Sequence, residues 1–311
     1  MSVYTSISAS EVQSIIEIYQ LAPFIGYTGI SAGIENTNYL IKTAQGDFVL
    51  TLYEHFNAQE IVPYLDLLRQ LAEHASYYPV PLADAQYKYL QIVAGKPAAL
   101  FKCLPGKSVQ QVTPEQHQAV AKALASFHLQ SSGLAFRKRN TRDIAWIQDI
   151  ATQISPHLSA QDSALLEDEL GFQLKHQTQH LRQGIIHADL FKDNVLFTGL
   201  RLTGMLDFYV ACYDCYLLDI AITLNDWCID QHGQYSHAQQ AVFLAAYQQL
   251  RELDQQEQKY LPVFLRRACI RFWLSRLEHQ LNPKAGEMTQ EKDPERFKNL
   301  LLQHRHFDSL Q

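Results

Sequence analysis

Residues 184–197, "GIIHADLFKDNVLF", decide the fold. A short polar window holding His187, Asp189, Asp193 and Asn194 lies between two apolar runs. Asp and Asn taken singly are ordinary turn formers. An ordered set of them flanked by buried strands asks for another reason. The local pattern reads as a strand over 184–186, a polar loop over 187–194 and a strand over 195–197. A turn at "TGLR" follows, and then "LTGMLDFY", a strand that ends in Asp207, Phe208 and Tyr209. The expectation is one hairpin with polar residues at both ends, its loop exposed to a cleft.

Working outward, residues 10–21 read as a helix with Ser10 as N-cap and Val12, Ile15, Ile16 and Tyr19 on one face. Strands are expected over 38–43 and 48–54, a helix over 57–75, and two short strands in "YLQIVAGKPAALFKCLPG". After "LPGKS" the composition turns helical: 115–131, two helices within 144–182, then 214–229, 237–253 and 257–281. The fold class is therefore α+β, with a small antiparallel-sheet N-lobe over 1–104, a large mostly helical C-lobe over 105–311 and a hinge over 102–107.

Composition limits the function classes. The 311 residues are 47% hydrophobic and 19% charged, ordinary for a globular chain. A net charge of -6 without a basic run argues against a nucleic-acid surface. No apolar stretch approaches the roughly 18 residues that span a membrane. The start, "MSVYTSISASEV", has no signal pattern. Five cysteines are an odd number in a long chain, so reduced thiols and a cytoplasmic location are expected. "CYDC" at 212–215 has CxxC spacing, but no second pair accompanies it to make a zinc site.

The set His187-x-Asp189-x4-Asn194, followed by Asp207-Phe208, is similar to the catalytic-loop and metal-loop pair of protein-kinase-like phosphotransferases. The chemistry explains the residue types. Asp189 accepts or orients the proton of an attacking hydroxyl. Asn194 and Asp207 offer hard oxygens suited to Mg²⁺ on nucleotide phosphates. His187 braces the loop, and Asp219 and His128 are expected to brace rather than react. The N-lobe then holds the nucleotide ATP. Gly29, Ser31 and Gly33 would cover the phosphates, with Asn36 and Asn38 capping that loop or touching ligand. Val49 would pack on adenine, and the backbone near Lys102 and Leu104 would meet its edge. Thr51 stands where a strand lysine belongs, which leaves Mg²⁺ with Lys42 or Lys192 as the substitute cation.

Four stretches, "NTNYLI…GDFVLTLYE", "HADLFKDNVLF", "DFYVACYDCYLLDIAITLNDWC" and "RFWLSRL", resemble the bacterial homoserine kinases of the aminoglycoside-phosphotransferase/choline-kinase superfamily. The resemblance covers about residues 1–310. It implies phosphorylation of the L-homoserine hydroxyl by ATP, a step toward threonine, with Asp189 as base. It also implies that the missing strand lysine is a habit of the family. An acceptor with an ammonium and a carboxylate calls for an acid and a cation. Asp226 is the candidate for the ammonium, Arg271 or Arg276 for the carboxylate, and Tyr209 and Trp227 for the walls. The alternatives are another small-molecule kinase of the same fold and a nucleotide-binding pseudokinase.

Overall fold

The computed structural model describes residues 4–30, 36–176, 178–282 and 293–308. The chain divides into two compact units. Among the described residues, the first runs to Gly106 and takes back Thr203–Tyr209; the second holds Lys107–Leu202 and the described chain from Val210 on.

The first unit is a five-stranded antiparallel sheet in the order β1-β2-β3-β5-β4. Its strands are Phe24–Ile30 (β1), Thr37–Thr43 (β2), Gly46–Leu52 (β3), Gln91–Val93 (β4) and Lys96–Lys102 (β5). Along β2 the residues Thr37, Tyr39, Ile41 and Thr43 are buried in alternation, the period of a sheet with one covered face. The tight turn into β3 needs Gly46, whose φ is +130°. The cover is the helix Ala9–Ile18 (α1), whose buried Val12, Ile15 and Ile16 meet Tyr39, Ile41, Leu50 and Leu100. Each such side chain contributes roughly 1.5–3 kcal/mol of burial. The N-cap of α1 is Ser8, not Ser10: Ser8 and Glu11 form a reciprocal capping box. A second helix, Ala58–Leu71 (α2), follows β3. The sequence reading missed β1, because its burial does not alternate.

The second unit is helical: Pro114–Gln130 (α3), Ile144–Ile154 (α4), Ala160–Lys175 (α5), Tyr216–Trp227 (α6), His237–Gln248 (α7), Gln255–Leu281 (α8) and Glu295–Asp308 (α9). Its centre is α6, all 12 of whose residues are buried. The 184–197 region is built differently from the expected single hairpin. Gln183–Ile186 (β6) pairs with Cys212–Cys215 (β9), while Val195–Thr198 (β7) turns at Gly199 into Arg201–Met205 (β8). "CYDC" is thus a strand, with Cys212 and Cys215 as buried free thiols, and α6 starts after it. No helix among the described residues is long and apolar enough to cross a membrane.

Candidate active site

The loop that follows β6 is gripped from below by α6. Asp219, in the first turn of α6, is wholly buried; its Oδ2 accepts the His187 N–H at 2.7 Å and its Oδ1 the Ala188 N–H at 2.8 Å. Behind it, His128 Nε2 lies 3.0 Å from Oδ2, and His128 Nδ1 lies 2.7 Å from the Tyr247 hydroxyl. That hydroxyl also accepts from Arg251 at 3.2 Å, so its own hydrogen turns to His128 Nδ1. His128 is then the neutral Nε2–H tautomer, donating to Asp219. Burial lowers its pKa, in agreement. Burial pushes the Asp219 carboxyl up, but the hydrogen bonds from His128 and His187 outweigh it, and the net shift is downward.

Two turns further along α6, Asp226 Oδ2 accepts the Lys192 N–H at 2.7 Å, and Trp227 Nε1 donates to the Leu190 carbonyl at 2.9 Å. One buried helix therefore fixes both ends of the polar loop. Between those ends Ala188 has φ +66°, a left-handed backbone that costs a residue with a Cβ about 1–2 kcal/mol. Asp219 holds its N–H, and Arg271 Nη1 donates to its carbonyl at 2.9 Å. This backbone kink projects Asp189, which is half-exposed, out of the loop. Asn194, in the one-turn helix Lys192–Asn194, donates through Nδ2 to the Asp189 carbonyl at 2.8 Å and to Asp189 Oδ2 at 3.1 Å. The amide nitrogen is committed to Asp189, and Oδ1 is the atom left to meet a cation. His187 is fully buried, and its Nδ1 accepts the Asp189 N–H at 3.3 Å, so it braces the loop.

The candidate acceptor residues have other occupations. Both oxygens of Asp226 are engaged, Oδ2 with the Lys192 N–H and Oδ1 with Arg296 Nη2 at 2.5 Å. An ammonium at Asp226 would share these oxygens with the Lys192 N–H and Arg296. Trp227 is not a pocket wall: it has no exposed surface and packs its ring near His117 and Phe197. Arg271 donates through Nη1 to the Ala188 carbonyl, and its buried Nε has no hydrogen-bond partner among the described residues. Arg276 donates through Nη1 to the Asp293 carbonyl at 2.7 Å, and its Nε is likewise without a partner among the described residues. The sequence reading did not find Arg296. Its signal was the helix-start pattern Asp293-Pro294-Glu295 that opens α9; Asp293 Oδ1 accepts the Glu295 N–H at 2.9 Å.

In the first unit, Gly29 is the penultimate residue of β1, opposite Tyr39. Ser31 and Gly33 lie outside the described residues. Thr51 is buried and donates its hydroxyl to Asn38 Oδ1 at 2.7 Å, across the β2–β3 register. Lys42 sits four residues beyond Asn38 on β2, opposite Asp47, about 13 Å along the strand. It is too far to stand in for a lysine at Thr51. Val49 is half-buried between its neighbours Leu40 and Phe101. Lys102 ends β5 exposed, and the Cys103 N–H that leads to Leu104 is bonded to the Asp47 carbonyl. Asp207 is exposed with φ +61°, a second left-handed residue with a Cβ, and the Tyr209 ring meets Tyr53 edge-on at 5.1 Å. Asn194 offers an amide oxygen and Asp207 a carboxylate, each a hard donor that suits Mg²⁺ rather than zinc.

An antiparallel-sheet unit, a helical unit and this loop define a phosphotransferase of the kinase-like class. The solved spectinomycin phosphotransferase in complex with ADP and spectinomycin superposes with a TM-score of 0.75 over 98% of this chain and 99% of that one, at 13% identity. The model of the phosphotransferase enzyme family matches residues 26–253, and the chain belongs to that family, within its homoserine kinase branch. The homoserine kinase of Methylobacillus flagellatus is 38% identical over 97% of this chain and 94% of its own length. That of Neisseria meningitidis is 39% identical over 97% and 99%.

Proposed function

We propose that the protein transfers the γ-phosphoryl group of ATP to the side-chain hydroxyl of L-homoserine, giving ADP and O-phospho-L-homoserine on the way to threonine. The observation that carries the chemistry is the Asp189 loop, held in a strained conformation by Asp219, Arg271 and Asn194. The substrate rests on the likeness to homoserine kinases along nearly the full chain.

The roles follow from what each group can do. The homoserine oxygen attacks the γ-phosphorus while the bond to the β-phosphate oxygen breaks, and Asp189 takes the hydroxyl proton and returns it to solvent. Phosphoryl transfer asks mainly for in-line placement and charge neutralisation. The clamp on both ends of the loop serves the first demand. Asn194 Oδ1 and the Asp207 carboxylate are the groups we assign to Mg²⁺, which supplies charge neutralisation at the phosphates when bound. We assign Asn38, Val49 and the backbone at Lys102 and Leu104 to the nucleotide, and Tyr209 to the acceptor side. A cytosolic location fits five cysteines that are all free thiols.

Replacing Asp189 by Asn tests the base. We expect kcat to fall on the order of 10²–10⁴-fold with the ATP dissociation constant, read by calorimetry, within about twofold of wild type. Near-normal turnover in D189N would remove Asp189 from that role.

A further inference from the structure

Among the groups that the mechanism leaves unused, the guanidinium of Arg276 stands out. Arg276 is 9% exposed. Its one hydrogen bond among the described residues is Nη1 to the Asp293 carbonyl, and its Nε is buried without a partner. Burial, and then the charge of Arg296, bring its pKa down to about 10, so it stays protonated at neutral pH. A buried guanidinium that spends so few of its five N–H donors is costly unless an anion completes the shell.

Among the described residues, the carboxylates around Arg276 have other partners. Asp226 is bound on one oxygen by Arg296 and on the other by the Lys192 N–H. The Asp293 carboxylate caps the first turn of α9. Lys192 is itself half-buried, with Asp226 and Arg296 as its charged neighbours. Arg296 uses Nη2 on Asp226, and its side chain is 41% exposed, which leaves the rest of its fork open to solvent. The two guanidiniums lie over the same Phe297 ring, Arg276 at 4.5 Å and Arg296 at 5.5 Å from its centroid. Phe297 is stacked on Phe191, 6.1 Å between centroids, and Phe191 is two residues past Asp189. Asp189 is among the charges that Arg276 feels. The cation pair is thus tied through an aromatic stack to the loop that carries the base.

We infer that Arg276 and Arg296 form the subsite that binds the carboxylate of the acceptor, and that Arg296 is a specificity-determining residue for α-carboxylate-bearing alcohols. This rests on the homoserine kinase reading. A guanidinium fork matches a carboxylate in geometry and charge. The open donors of Arg296 give the incoming group a solvent-facing partner, and Arg276 gives it a buried one. The Arg296–Asp226 ion pair holds the fork in place without using it up.

The test compares L-homoserine with 3-aminopropan-1-ol, which keeps the hydroxyl, the chain and the amine but lacks the carboxylate. Wild type should favour L-homoserine in kcat/KM. Arg296→Gln should lower kcat/KM for L-homoserine on the order of 100-fold, chiefly through KM. The same variant should move 3-aminopropan-1-ol, and the KM for ATP, by less than about threefold. Arg276→Lys, which keeps the charge and loses the fork, should fall between the two proteins for L-homoserine alone. Equal losses with both acceptors would mean that Arg296 only supports the Lys192 backbone through Asp226, and would overturn the inference. A rise confined to the ATP KM would assign the cations to nucleotide phosphates and overturn it as well. A wild type that uses both acceptors equally would overturn carboxylate recognition while leaving the kinase intact. A wild type silent toward L-homoserine would overturn the homoserine kinase reading and this inference with it.

Discussion

Asp219 shows how one buried carboxylate can fix the backbone of a polar loop. It satisfies the N–H groups of His187 and Ala188 and holds a left-handed Ala188 that an isolated chain would avoid. Removing it leaves two buried N–H donors and His128 without their acceptor. Asp219→Ala should therefore cost about 3–5 kcal/mol, measured by urea denaturation. A loss below about 1 kcal/mol would mean that the loop holds its shape unaided. The residue scale is also where the sequence was most and least informative. The spacing of His187, Asp189, Asn194 and Asp207 is a one-dimensional signal and could be read directly. The engagement of Asp226 by Arg296, 70 residues away, and of the Ala188 carbonyl by Arg271 could not, because both arise from packing between distant segments.

Two elements carry further consequences. β6 and β9 pair through Gly184 and Asp214, and a Cβ on Gly184 would lie 2.0 Å from the Tyr216 hydroxyl oxygen. Tyr216 has little room to retreat, with the Arg251 guanidinium 4.3 Å from its ring centroid and the His128 ring 4.6 Å away. Gly184→Ala should destabilise by about 1–3 kcal/mol, seen as a lowered urea midpoint with an unchanged slope. An unchanged midpoint would show that the Tyr216 ring yields. α9 is fastened to α6 by His304, whose Nε2 lies 2.9 Å from Asn225 Oδ1. Asn225 spends its amide nitrogen on the Leu265 carbonyl and Cys269 Sγ, so the Nε2–H of His304 is the donor.

Burial, with the charges of His237 and Arg266, lowers the His304 pKa to about 3 from an ordinary value of 6.5. Between pH 6.5 and 3 the unfolded chain binds this proton and the folded chain does not, so stability falls as pH drops through that window. The slope is about 1.4 kcal/mol per pH unit. His304→Gln, which can still donate to Asn225 and does not titrate, should make the pH 6 to 4 dependence shallower by about that amount. Parallel curves for the two proteins would contradict it. At this scale the helices of the second unit up to α8 were legible from their periodicity, whereas α9 was not placed and β1 was missed because its mixed burial erases the strand period. The strand character of "CYDC" was hidden because β6 finds its partner after the β7–β8 excursion rather than beside it.

For the whole molecule, four of the five strands of the first unit and the second unit's helices up to α8 were readable from composition and period. The return of Thr203–Tyr209 to the first unit was not, since a chain crossing between compact units leaves no local mark. The absent strand lysine remains the widest departure from the kinase-like pattern. Thr51 is locked to Asn38, and Lys42 is out of reach, so we propose that a divalent cation, with Lys192 as the remaining candidate side chain, supplies the missing charge. ADP release should accordingly stop in excess EDTA and recover on addition of Mg²⁺. Mg·ATP should raise the melting temperature more than ATP with EDTA does; equal shifts would show that the nucleotide binds without the ion.

Phosphorylation of L-homoserine is the activity proposed for this chain. A coupled ADP-release assay with Mg·ATP tests it most directly, run against L-homoserine, L-serine, L-threonine, choline, ethanolamine, methylthioribose and kanamycin. A rate selective for L-homoserine is expected. Faster turnover of any other acceptor, or none at all by a protein that still binds ATP, would contradict it.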